Sequence, residues 1–344
     1  MKTVLILNPG DGTGLNFARC LRDACRWRTI GLHTTRGQLH SGETDARILE
    51  EWRSPETLVE AVNSACRAEQ IDLIYAADTG RELDAVSALR DRLIVPTLLP
   101  DATDLVRMED KWATWQALAS LGCPVPDTLL VRDRHDLGAM LARHGRIWLR
   151  RRLGSAGAGS VATASHSFAT AWVEEHSGWG DFTAAECLSA RTATFSGLWW
   201  EGELVRSQLR ERIGWGYSEM AVSGVTGITG AQRTIDDPSL HELAVVAIRA
   251  SCTRPHGAIG VDFTYDANER PKITEIQPAR FYTSIHFMAR LGLNFAADYC
   301  ALVCDGRAAL GPPQLNPCPP DVYWVKGVER LPKLLTANEF RRTD

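Results

Sequence analysis

Nothing in this chain approaches the roughly 20 consecutive apolar residues of a membrane-spanning helix, so an integral helical membrane protein is excluded. Long basic runs are also missing and the net charge is only −4, which argues against nucleic acid as the main partner. The nine cysteines are odd in number and scattered singly, with no Cys-x-x-Cys pair. That pattern disfavours a zinc site or a disulfide framework, and reads as free thiols in a reducing cytosol. No glycine loop is followed by Gly-Lys-Ser/Thr, which excludes a P-loop. No Ser/His/Asp or Cys/His arrangement marks a nucleophilic enzyme, and there is no internal repeat or low-complexity tract. The opening MKTVLILNPGDG breaks into Asn-Pro-Gly where a secretory leader would carry a cleavage site. It reads as a first strand, and the expected location is cytoplasmic.

What is present is an ordinary globular composition, 44% hydrophobic and 23% charged, spread over 344 residues. That length exceeds one typical core, so two or three domains are expected. Residues 3–8 form a continuous apolar strand, followed by Gly10, Gly12 and Gly14 and a helix over 15–25. A strand at Thr29–His33, a helix over 56–69, a strand over 71–78 ending in Asp78 and a helix over 80–92 follow. Alternating strands and helices predict a parallel α/β unit over 1–107. A helix over 109–121, a strand near 128, a helix over 134–144, strands at 146–151 and 161–164, a helix over 167–177 and a strand to Glu186 come next. Residues 191–200 and 203–211 alternate like antiparallel strands. The segment 213–231 is glycine-rich and irregular, and helices are expected over 238–252 and 294–305, with a last strand at 322–328. The expected divisions are 1–107, 108–190, 191–309 and 310–344, the last an extension with a short strand.

Residues 257–281, GAIGVDFTYDANERPKITEIQPARF, carry the sharpest chemical signal. They read as two antiparallel strands joined by the turn Asp266-Ala267-Asn268-Glu269. Paired residues across such a ladder have Cβ atoms about 5 Å apart, so Asp262 and Glu275 converge, with the Gln277 amide oxygen beside them. Hard oxygens of this kind suit Mg²⁺ shared with nucleotide phosphates, and Arg280 adds a fixed cation. The alternative for the hairpin alone is acids on a wet face.

A second signal is the run RIWLRRRLGSAGAGS, in which a strand delivers Arg150 to a loop of small residues. Gly154, Ser155, Ala156 and Gly157 allow backbone N–H groups to approach phosphate oxygens. A plain flexible hairpin tip is the alternative. The N-terminal Gly10-x-Gly12-x-Gly14 has the setting of a dinucleotide turn, but it departs from G-x-G-x-x-G and no acid ends the second strand. Of the eleven tryptophans most belong in cores, whereas Trp215, flanked by glycines, is placed to face a ligand.

In this order the parts resemble the ATP-grasp superfamily, in its carbamoyl-phosphate-synthase-like carboxylate–amine ligase branch. The matching pieces are Asp110-Lys111 opening a helix, Leu149-Arg150 before GSAGAGS, AECLSAR at 185–191, GVDFTYD and TEIQPAR, over about residues 1–305. The resemblance implies an α/β pre-ATP-grasp domain followed by two α+β subdomains that clasp ATP. It implies phosphate contacts from Lys111 and Arg150, and adenine contacts from Glu186 and the backbone of Cys187 and Leu188. It further implies metal ligation by Asp262, Glu275 and Gln277, and catalytic roles for Arg280 and Arg210, with Arg212 beside them. Three positions depart from the pattern: arginine at 150 where many members have lysine, glutamine at 277 for asparagine, and Ala279 displacing the arginine to 280.

The expected activity is an ATP- and Mg²⁺-dependent ligase, with Mn²⁺ as the alternative metal. It phosphorylates a carboxylate and couples the acyl phosphate to an amine. The partners expected are small-molecule acids and amines, with a homodimer as the default assembly. His256 and His286 flank the hairpin and are expected to be structural. The competing readings are a phosphotransferase that stops at the acyl or carbamoyl phosphate, a nucleotide-binding module without turnover, and an NAD-dependent oxidoreductase.

Overall fold

The computed structural model describes residues 1–76, 81–154, 157–225, 228–327 and 333–341. The N-terminal unit is a parallel sheet in the order β3-β2-β1-β4, built from β1 (Lys2–Leu7), β2 (Trp27–His33), β3 (Ala46–Leu49) and β4 (Leu73–Tyr75). Its helices are α1 (Gly12–Ala24), α2 (Arg36–Ser41), α3 (Pro55–Glu69) and α4 (Arg81–Ala88). The apolar run of β1 serves both faces: Val4 and Ile6 pack with Phe17 of α1, while Leu5 and Leu7 pack with Leu58 and Val62 of α3. This is why a covered parallel strand shows no alternation. Ser54 caps α3 and Pro55 occupies its first turn, where a missing N–H is harmless.

Helices α5 (Ala102–Glu109) and α6 (Lys111–Ser120) lead to a second, antiparallel sheet in the order β5-β8-β6-β7. It comprises β5 (Thr128–Val131), β6 (Ile147–Arg151), β7 (Val161–Thr163) and β8 (Phe182–Glu186), backed by α7 (Arg134–His144) and α8 (His166–Glu175). The third sheet contains β9 (Thr192–Trp200), β10 (Glu203–Trp215), β11 (Thr229–Thr234), β12 (Gly257–Tyr265) and β13 (Pro271–Pro278), with α9 (Pro238–Ser251) on one face. Phe195, Val261, Phe263 and Ile276 point into a core with Leu240, Ala244 and Ile248 of α9. Each such apolar side chain contributes about 1.5–3 kcal/mol on burial. Alternation turns Thr192, Thr194 and Asp262 to the opposite face.

After α10 (Ile285–Arg290) and α11 (Phe295–Asp305), strands β14 (Gln314–Leu315), β15 (Val322–Val325) and β16 (Lys333–Thr336) join this same sheet before α12 (Ala337–Arg341). Sequence reading expects one strand here and finds three. Helices α10 and α11 pack on α1, and the Tyr299 hydroxyl accepts a hydrogen bond from Leu98 N at 2.9 Å, so late elements complete the first unit's core. Elements α2, β3, α5 and α10 are 4–8 residues long and were not anticipated, because pieces this short are specified by packing more than by pattern. The segment expected to be irregular over 213–231 is narrower, since β10 reaches Trp215 and β11 starts at Thr229. Asp78 lies outside the described residues. Among the described residues no helix is long and apolar enough to cross a membrane.

Gly257 joins two of these units. Its φ is +85°, and an added Cβ would lie 2.5 Å from the Leu98 carbonyl oxygen. Gly257→Ala is expected to cost about 1–3 kcal/mol of stability, read as a lower urea midpoint. An unchanged midpoint would show that the seam yields freely.

Candidate active site

The hairpin β12–β13 places Asp262 directly opposite Glu275. One residue later the register slips, so that Phe263 pairs with Ile273 and Thr274 is the extra residue of a bulge. The bulge releases Thr274 from regular pairing: its hydroxyl donates to the Asp262 carbonyl at 3.1 Å, and its own carbonyl accepts from Arg150 Nη2 at 2.7 Å. Asp262 is held from both sides, accepting from the Thr194 hydroxyl at 2.7 Å and the Gln277 amide nitrogen at 2.6 Å. The sequence reading put the Gln277 oxygen toward the metal position, whereas here its NH₂ is turned to Asp262.

Two cations stand near the hairpin, Lys111 at the start of α6, which packs on β13, and Arg150 on β6 of the second sheet. Asp110 caps α6 and pairs with Arg152, which fixes the start of the helix that carries Lys111. Lys111 Nζ donates to the Gly154 carbonyl at 2.6 Å and lies 3.6 Å from Glu275 Oε1. Burial lowers the Lys111 pKa against the pull of Glu275, with Arg150 and Arg280 adding to the depression. Burial likewise pushes Arg150 down, opposed by Glu275 and Asp262, and its Nε has no hydrogen-bond partner. Two buried cations thus face two carboxylates across a gap, with donor capacity left over.

Beside these groups is a cavity of about 420 Å³ whose lining includes Arg150, Asp262, Glu275 and Arg212, and Trp148, Glu186, Cys187 and Leu188. Glu186 ends β8 and its carboxylate accepts the Asp127 N–H at 3.0 Å, so the side chain ties the end of β8 to the start of β5 while Cys187 and Leu188 run on along the wall. Gly157 has φ +72°, and a Cβ there would lie 2.6 Å from the Val225 carbonyl oxygen, so glycine lets this loop touch the segment after β10. Gly154 is exposed with φ +116°. Ser155 and Ala156 lie outside the described residues.

Lys111, Gly154 and Gly157 do not line the cavity themselves, and Gln277, Arg280 and Arg210 also sit apart from it. Gln277 reaches it only through Asp262. Arg280 follows Ala279, whose φ of +62° turns the chain at the end of β13, and its buried Nε is without a partner. Arg210 is 3% exposed; its Nη1 donates to Thr229 at 3.3 Å, Ser284 at 3.1 Å and Gln232, and the guanidinium lies over Tyr282 at 4.3 Å. Burial and Arg212 push its pKa down to about 9. It is Arg212, two residues on, that reaches the cavity wall. The alternation of the LRER run puts both on one face and could have nominated either.

Lys326, far along the chain, was missed altogether. It lies within the field of Arg210 and Arg19, and burial lowers its pKa to about 8. Nothing marks it locally. His286 and His256 are tied to Asp23 and Glu201, and neither lines the cavity. The N-terminal glycine turn is self-capped: the Asp11 carboxylate accepts from the N–H groups of Thr13 and Gly14. Two N–H groups at the start of α1 are therefore already satisfied by a carboxylate, as at an ordinary capped helix.

No family model matches the sequence, and no curated protein sequence does either. Solved structures match closely in shape. N5-carboxyaminoimidazole synthetase from Staphylococcus aureus, complexed with ADP, superposes with a TM-score of 0.69 at 14% identity, covering 94% of this chain and 82% of that one. The chain has the ATP-grasp fold. Biotin carboxylase from Campylobacter jejuni, in complex with β,γ-ATP, gives 0.70 at 15% identity over 94% and 74% of the two chains. L-amino acid ligase from Bacillus licheniformis gives 0.65 at 12% identity over 94% and 80%.

One carboxyl near these cations is held above its usual range. Glu109, the last residue of α5, shares a hydrogen bond with Asp84 of α4. Burial, then Asp84, push its pKa up to about 7 against Arg280 and Lys111. A raised carboxyl pKa means stability that is complete below the unfolded value and is lost as pH rises through the folded one. The thermal midpoint of the parent is expected to fall from about pH 5 to about pH 8, and that of Glu109→Gln to fall less. Parallel pH profiles would refute the raised pKa.

Proposed function

We propose that this protein is an ATP- and Mg²⁺-dependent ligase that activates a carboxylate as an acyl phosphate and transfers it to an amine. The observation that carries the reading is the charge arrangement beside the cavity. Asp262 and Glu275 stand opposed on β12–β13, within the field of Lys111, Arg150 and Arg212, and Arg150 Nε has no hydrogen-bond partner among the described residues. The donor set fits Mg²⁺: two carboxylates at a partly exposed wall, with hard oxygens. Bound there, Mg²⁺ would supply charge neutralisation between the terminal phosphates. Solved structures of similar shape with ADP or an ATP complex, and an amino-acid ligase among them, support the nucleotide and the reaction class.

In this reading the chain's own residues bind and align. Lys111 and Arg150 hold phosphate oxygens, and the glycine-rich loop covers them with backbone N–H groups. Glu186, Cys187 and Leu188 border the adenine end. A carboxylate oxygen of the acid attacks the γ-phosphorus, the bond to the β-phosphate oxygen breaks, and ADP leaves. The amine lone pair then attacks the acyl carbon, inorganic phosphate departs, and the amine proton passes to solvent. Arg210 and Lys326 stand apart from the cavity lining, are largely buried and, among the described residues, form no ion pair; in this reading their field draws the substrate carboxylate. Unpaired buried charge is costly, and a substrate carboxylate relieves it. Arg280 is read as a further cation at the acyl phosphate.

Calorimetric titration with a non-hydrolysable ATP analogue tests the site. Binding is expected to need Mg²⁺ and to weaken about tenfold or more in Asp262→Asn and in Glu275→Gln. Arg150→Ala loses a charge-assisted bond of about 1.5–3 kcal/mol, roughly 10- to 100-fold in affinity. Equal dissociation constants for parent and variants would contradict the assignment. Release of ADP that requires acid and amine together marks the ligase. Release with acid alone would mark a phosphotransferase, and binding without turnover a nucleotide-sensing module.

A further inference from the structure

Arg212 and Trp215 lie three residues apart on β10, a spacing that puts side chains on opposite faces of a regular strand. Here they meet: the Arg212 guanidinium sits 3.7 Å from the Trp215 ring centroid, and both line the cavity. The cause is a pair of register slips. Arg212 pairs with Gln232 but Gly214 with Ala231, so Ile213 is an extra residue in β10. Gly214 pairs with Ala231 but Trp215 with Thr229, so Gly230 is extra in β11. The first bulge flips the alternation of β10 and the second restores the register. Their net effect is to bring one aromatic ring onto the face that carries the arginine.

The guanidinium is then held on several sides. Nε donates to the Thr229 hydroxyl at 3.1 Å, Nη1 donates to the Thr192 hydroxyl at 2.8 Å, and the indole covers its plane. Among the described residues Nη2 makes no hydrogen bond and Arg212 has no ion-pair partner. Its charge lies within the field of Asp262 and Glu275, which puts it near the two carboxylates in the cavity wall. An arginine on a flexible stem would otherwise sample many rotamers. A stacked aromatic removes that freedom without occupying a donor.

We propose that Trp215 is a positioning residue that fixes Arg212 for contact with the terminal phosphate of a bound nucleoside triphosphate. This rests on the nucleotide reading above. The test is titration of the full chain with β,γ-methylene-ATP and with ADP, each with Mg²⁺, for the parent, Trp215→Ala, Trp215→Phe, Arg212→Ala and the double variant Trp215→Ala/Arg212→Ala. Trp215→Ala is expected to weaken the triphosphate about tenfold while changing ADP by less than about twofold, and Trp215→Phe, which keeps an aromatic face, to restore most of the loss. The double variant is expected to bind no worse than Arg212→Ala alone, since the tryptophan acts through the arginine. Equal losses for both nucleotides, additive losses in the double variant, or failure of phenylalanine to restore binding would overturn the proposal. So would an unchanged Trp215→Ala, while leaving the nucleotide reading standing. A folded parent that binds neither nucleotide would overturn that reading and this one with it.

Discussion

The opposition of Asp262 and Glu275 across β12–β13 is the constraint around which the rest of the molecule is arranged. Two carboxylates held this close repel one another, and nothing about sheet formation asks for them. They persist because cations from β6, α6 and β10 lie near them and because Thr194 and Gln277 fix the Asp262 oxygens. The bulge at Thr274 then links the hairpin to the second sheet by offering a carbonyl to Arg150. A one-residue slip in this ladder would turn both acids into the apolar core beneath α9. Phe195, Val261, Phe263 and Ile276 in that core hold the register that keeps the acids outward.

The cations show the complementary economy. Lys111, Arg150, Arg210 and Arg212 are all pushed toward lower pKa by burial, so the folded protein holds positive charge where water is scarce. Desolvated charges of this kind cost several kcal/mol unless partners are supplied. Glu275 and Asp262 supply part of that compensation. Anionic groups that enter the cavity would supply the remainder, which is the physical basis of the proposed preference for nucleotide phosphates and a carboxylate substrate.

The fold was largely legible in the sequence because its signals are local. The buried run of β1, the Ser54-Pro55 start of α3, the Asp110 cap of α6 and the turn between β12 and β13 each announce an element within a few residues. The acids at 262 and 275 and the cation at 150 were legible for the same reason: strand spacing and a following glycine loop place them. What was not legible depends on register or on distant chain. The choice between Arg210 and Arg212, and the meeting of Arg212 with Trp215, follow from bulges that no pattern announces. The orientation of Gln277 follows from a hydrogen bond to a residue fifteen positions away. Lys326 enters from β15's far end, joining Arg210 through folding alone.

The most direct test of the account is hydrogen exchange on the full chain with and without a non-hydrolysable ATP analogue and Mg²⁺. A nucleotide gripped between the two sheets predicts slowed exchange in two places at once: the β6–β7 loop region and the β12–β13 hairpin, with the N-terminal glycine turn unchanged. Protection confined to residues 8–16, or protection of neither sheet in a folded protein, would contradict it.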